Sequence, residues 1–177
     1  MSTHTVTTFP TRPEATPDVQ VPAAPGSGWM GYVVAAGRVL YSAIFLLSAV
    51  GHFTKQTIDY AAQQGVPLAS IAVPVSGVLA LLGGLSVLLG YRARIGAWLL
   101  VLFLVPVTLM MHNFWAFTDP AMGQLQFVMF LKNLSMLGAA LIIAGMGAGP
   151  LSLDDRRLRR RRFLAQVEEE FEGMRAA

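Results

Sequence analysis

Six polar residues of a largely apolar chain could do chemistry together: His52, Lys55, His112, Asn113, Lys132 and Asn133. The two imidazoles offer a lone pair or a proton near neutral pH. The amides supply donors and acceptors, and the ammonium groups attract an anion or a carbonyl oxygen. As a set they suit a quinone, an anion or a small polar head group. They do not suit a metal, because two histidines without neighbouring carboxylates make a poor zinc set. Bis-histidine haem ligation by His52 and His112 needs the rings to face one another, which spacing alone does not show. A plainer reading competes. In it His52 and His112 sit at the headgroup level, Lys132 reaches water, and Tyr60 and Trp115 are placed as belt aromatics.

The elements that position these residues follow from composition. Apolar residues make up 54% of the 177 and charged residues 13%. Between Gly31 and Gly149 the ionisable Lys, Arg, Asp and Glu are Arg38, Lys55, Asp59, Arg92, Arg94, Asp119 and Lys132. Such a stretch cannot coat a water-soluble domain. Crossing about 30 Å of hydrocarbon takes roughly 20 apolar residues at about 1.5 Å each. Four stretches qualify: 29–53, 71–89, 95–111 with a possible extension to 115, and 125–148. Helix is the expected form, since lipid offers backbone groups no partner and the runs lack strand alternation. The spacing predicts an all-α membrane protein, a four-transmembrane-helix bundle. Pro74 falls in the first turn of the second span and Pro106 inside the third, where a kink is expected. The paired glycines 83 and 84, and the small residues Gly138–Ala140 and Gly145–Gly147, read as close-packing devices. Lys132 and Asn133 fall one to two turns inside the fourth span.

Cationic residues set the expected orientation. Arg92 and Arg94 lie between spans two and three, and Arg156, Arg157, Arg159, Arg160, Arg161 and Arg162 follow span four. The other face carries Lys55 alone between its spans. The positive-inside rule therefore puts both termini in the cytoplasm of a bacterial-type inner membrane. These arginines and Arg38 are expected to contact lipid headgroups or another anion, at about 1 kcal/mol each near an anionic surface. Arg38 either snorkels to the headgroups or binds an anionic group or a quinone carbonyl. Membrane topology accounts for the basic cluster, so nucleic acid is not the implied partner.

Three segments result. Residues 1–28 are proline-rich, lack a signal-peptide apolar region and read as a disordered cytoplasmic lead-in. Residues 29–150 form the membrane domain. Residues 151–177 form a charged tail, opened by Ser152-Leu153-Asp154-Asp155 in the manner of a helix N-terminus. Leu164, Val167 and Phe171 make an apolar stripe on that amphipathic helix, fit for the membrane surface or a partner. With no cysteine, dithiol chemistry and thiolate-ligated clusters are excluded within the chain. No triad, phosphate loop or carboxylate pair points to a catalytic role.

The order of certain short segments resembles the DoxX family of small four-helix membrane proteins. The segments are Gly37-Arg38, Gly51-His52-Phe53, Gly65-Val66-Pro67, Leu82–Gly90 followed by Arg92-Ala93-Arg94, His112–Trp115, Phe130–Asn133 and Gly149–Asp154. The resemblance spans about residues 31–154. It implies a non-catalytic accessory or docking subunit, partnered by lipids and by a membrane redox complex or a soluble redox protein. The alternatives it leaves are a quinone-interacting subunit of a thiosulfate:quinone type of oxidoreductase and a lipid or small-solute carrier. No cofactor is certain; quinone ranks ahead of haem.

Overall fold

A computed structural model describes residues 28–176, and the disordered lead-in expected over 1–28 lies, but for Gly28, outside the described residues. Every regular element among the described residues is helical. Helix α1 (Trp29–Ala49) runs on through a 3₁₀ turn, Val50–Phe53, followed by α2 (Lys55–Gln63) and α3 (Ala69–Leu89). Helix α4 (Ala93–Met111) ends near a second 3₁₀ turn, Phe114–Ala116, and α5 (Pro120–Met146) and α6 (Leu153–Ala176) complete the chain. Four segments are long and apolar enough to cross a membrane: Trp29–Phe53, Ala69–Leu89, Ala93–Ala116 and Pro120–Met146.

Three details differ from the sequence expectation. Spans two and four begin earlier than their apolar runs suggest. Pro74 consequently falls in the second turn of α3, and Asn133 lies about 20 Å along α5 from Pro120 rather than one or two turns in. The loop between spans one and two contains a helix, α2. Thr54 caps it, its Oγ1 accepting from Thr57 N at 3.3 Å, and Lys55 and Asp59 pair at 2.6 Å one turn apart. Ile58 and Ala61 then pack on Ala69 and Val73 of α3, which ties α2 down.

The bundle packs in the order α1–α3–α4–α5. Phe45, Ala80, Val87, Ala97, Leu100, Phe103, Leu104 and Ala140 form its centre. Gly83 supports the α3–α4 contact, since a Cβ there would lie 2.8 Å from Leu100 and 2.9 Å from the Gly96 carbonyl. Gly84 does the same against Phe45 and Leu46 of α1. In span four Ala140 packs in the centre but the glycines do not. Gly138 and Gly145 face open space, and Gly147, at φ +85°, terminates α5. Helices α1 and α5 meet through a side chain, the Tyr41 hydroxyl donating to the Met136 carbonyl at 3.0 Å. Beyond that bond, toward His52, the wall between them opens.

Candidate functional site

A cavity of about 470 Å³ occupies that opening, with walls contributed by α1 to α5. Its surface is mostly aliphatic and aromatic, with Phe45, Phe103, Val107 and Met136 among the lining residues. Into this apolar space project His52, Tyr60, His112, Lys132 and Asn133, along with the hydroxyl-bearing Ser48, Thr57 and Ser76.

Each histidine is held by one nitrogen. His52 Nδ1 lies 3.0 Å from the Ser48 carbonyl, which can only accept, so Nδ1 carries the proton and Nε2 is left as an acceptor in the neutral ring. Its ring stands edge-on to Phe103 with centroids 5.6 Å apart. Gly77 makes room for it: a Cβ on α3 there would come within 2.6 Å of His52 Cβ. His112, just past the end of α4, donates from Nδ1 to Gln126 Oε1 at 2.8 Å, and Gln126 is itself buried. The same polarity results, with Nε2 left to accept. Gln126 escaped the sequence reading, because a lone glutamine in a span carries no motif.

Asn133 is the most telling member. It is 4% exposed, lies midway along a spanning helix, and lines the cavity. A buried amide at that depth is costly, so intramembrane polar groups mark sites of use. Lys132, beside it, reaches Met129 Sδ at 3.4 Å, a weak acceptor.

The cavity thus collects four of the six residues singled out from sequence: His52, His112, Lys132 and Asn133. Lys55 is paired with Asp59 and exposed, outside the lining. Asn113 also lies outside it, with a buried Oδ1 that has no partner. Phe114 and Trp115 lie outside the lining and pack with Phe127 and Phe130 in an edge-to-face cluster, the Phe114–Phe127 centroids 5.0 Å apart. No group of three or more histidine or carboxylate side chains fit for a metal occurs among the described residues.

The opposite end of the bundle is a closed knot. Arg38 is 6% exposed, and its Nη2 donates to the Leu151 carbonyl at 2.9 Å. Its Nε and Nη1, with the Ser42 hydroxyl, are buried and without partners. Gly90, at φ +61°, lets α3 pass this point, where a Cβ would strike the Arg38 guanidinium and Ser152. The Asp154 carboxylate accepts from Arg92 N at 2.8 Å and Ala93 N at 3.0 Å, capping α4 from 61 residues away. Ser152 Oγ accepts from Asp155 N at 3.1 Å, the helix start read from the sequence. Arg157 covers the Tyr91 ring at 4.4 Å, and its hydrogen bond and charge hold the Tyr91 hydroxyl below its ordinary pKa. Arg159 pairs with Asp155 at 2.8 Å. Arg92, Arg94, Arg156, Arg160, Arg161 and Arg162 are exposed.

Comparison with known proteins fixes the family. The SURF4 family model matches residues 19–160. Inner membrane protein YphA of Escherichia coli is 31% identical over 100 residues, covering 56% of this chain and 71% of that protein. Inner membrane protein YqjF of Escherichia coli is 28% identical over 123 residues, covering 68% and 88%. The ER-derived vesicles protein ERV29 of Saccharomyces cerevisiae is 25% identical over 127 residues, covering 72% of this chain and 34% of that protein, so the chain spans about a third of it. No solved structure matches. The SURF4 match overturns the DoxX resemblance. The short segments behind it, glycine pairs and helix ends flanked by arginine or histidine, meet needs common to small four-span bundles. The chain is an integral membrane protein that belongs to the SURF4 family.

Proposed function

We propose that this protein binds a lipid-like amphiphile in the His52–His112–Asn133 cavity and does no covalent chemistry on it. The observation that carries this reading is Asn133, a buried amide lining an apolar-walled cavity of about 470 Å³. A ligand with an apolar body fills such walls, and its head meets the few polar groups. The head has a preferred chemistry. Both histidine Nε2 atoms accept, so they favour hydroxyl or amine donors, while Lys132 and Asn133 Nδ2 favour an oxygen acceptor or anion. A quinone, whose oxygens only accept, would satisfy Lys132 and Asn133 and leave both histidines idle. The redox-subunit reading rested on the DoxX resemblance and is not carried forward.

The names of YphA and YqjF support an inner-membrane location. The arginine distribution supports cytoplasmic termini, with the cavity then opening toward the outer half of the bilayer. On this reading residues 29–150 make the membrane domain, and 151–177 the cytoplasmic tail. A photoactivatable phospholipid in membranes tests the site: it should label peptides from the cavity walls, and His112→Phe should reduce that labelling several-fold. Labelling confined to the outer faces of the helices, or unaffected by His112→Phe, would refute the reading.

A further inference from the structure

Among the residues that line the cavity, Lys132 has the least explained position. It is exposed, yet it lies about 18 Å along α5 from Pro120, inside a helix long enough to span the membrane. Its Nζ reaches Met129 Sδ, and no carboxylate pairs with it among the described residues. The lining holds no Asp or Glu, so with both histidines neutral Lys132 is its one charge. A cation at that depth is costly until an anion meets it. Asn133, the next residue, adds a buried amide donor. Gln126, which fixes His112, lies seven residues before Asn133 on α5, so that histidine stands about 10 Å nearer the start of the helix.

We infer that the head group held in this cavity is a polyol phosphodiester, its anionic phosphate on Lys132 and Asn133 and its free hydroxyls donating to the Nε2 atoms of His52 and His112. The inference rests on the amphiphile reading above and narrows it to one lipid class. Phosphate oxygens only accept, which matches the donors of Lys132 and Asn133, and the single negative charge leaves the site neutral. An ethanolamine head can donate to the histidines, but as a zwitterion it leaves the Lys132 charge uncompensated. A choline head fails on both counts, having no net charge and no N–H or O–H to give. The separation of His112 from Asn133 suits a head that continues past its phosphate.

Four phospholipids with identical acyl chains separate the two features. Phosphatidylglycerol carries the charge and the hydroxyls, and phosphatidylmethanol the charge alone. Phosphatidylethanolamine carries donors without net charge, and phosphatidylcholine neither. Each is titrated into the delipidated full-length protein in mild detergent, with binding read by native mass spectrometry. Phosphatidylglycerol should bind about tenfold tighter than phosphatidylethanolamine and several-fold tighter than phosphatidylmethanol. Lys132→Met should close the first gap, and its exposed position lets it do so without disturbing the packing. His52→Leu and His112→Leu should each narrow the second. The exposed arginines also attract anionic lipid, so the charge preference counts only as far as Lys132→Met removes it. Equal binding of all four lipids, or gaps that the substitutions leave in place, would overturn the head-group inference while the cavity reading stands. Binding of none would overturn both.

Discussion

Asp154 and His112 both stand where a helix of the bundle begins or ends, yet their hydrogen-bonding capacity goes to different ends. Both oxygens of Asp154 are taken by the first amides of α4, and the residues around it hold one another through Ser152, Arg157 and the Leu151 carbonyl. At His112 one nitrogen is fixed by Gln126, and the other is left toward a cavity shared with His52 and Asn133. The charge-rich end spends its carboxylate on the scaffold but leaves the Arg38 Nε and Nη1 and the Ser42 hydroxyl buried without partners, whereas the polar groups of the charge-poor end line an apolar-walled cavity.

Four substitutions sharpen that contrast. The largest effect is expected at the scaffold end. Gly90→Ala forces a Cβ into the Arg38–Ser152 contact at a positive φ, and should cost about 2–4 kcal/mol of stability, read by unfolding in mixed micelles. At the other end Asn133→Leu should weaken amphiphile binding about tenfold or more, equivalent to about 1.4 kcal/mol. Stability should fall little, because the variant exchanges a buried amide lining an apolar-walled cavity for an apolar side chain of similar size. Gly77→Ala should shift the His52 ring, lowering affinity several-fold by titration of a fluorescent amphiphile while leaving the arginine knot intact. The smallest effect concerns Tyr91. With its folded pKa below the unfolded one, its contribution to stability exists only at alkaline pH and disappears as pH falls through the folded value. Tyrosinate absorbance should rise earlier for Tyr91 than for an exposed tyrosine, and Arg157→Gln should remove that lead.

The fold was legible because lipid leaves the chain few choices: four apolar runs of sufficient length became four spans, and Ser152 capped the tail helix as its spacing indicated. Helix α2 was missed because its packing face is only Ile58 and Ala61, too short a pattern to read without α3 opposite. The site was partly legible. His52, His112, Lys132 and Asn133 stood out as polar residues in apolar surroundings, and helix packing brought them to one cavity. Gln126 and Gly77 act only through the histidines they position, and nothing in their own neighbourhoods announces it. The contact of Arg38 with the Leu151 carbonyl was not legible, because that partner lies 113 residues away and is a backbone group. The family was misjudged. The resemblance rested on short segments a few residues long, and a match extending over residues 19–160 outweighs them.

The central claim is that the cavity holds an amphiphile through Asn133 and the two histidines. Native mass spectrometry of the full chain, released from its own membranes in mild detergent, tests it most directly. The account predicts a discrete bound species of lipid mass on the wild type that is lost from Asn133→Leu. A wild type that emerges bare, or a variant that keeps the same bound species, would contradict it.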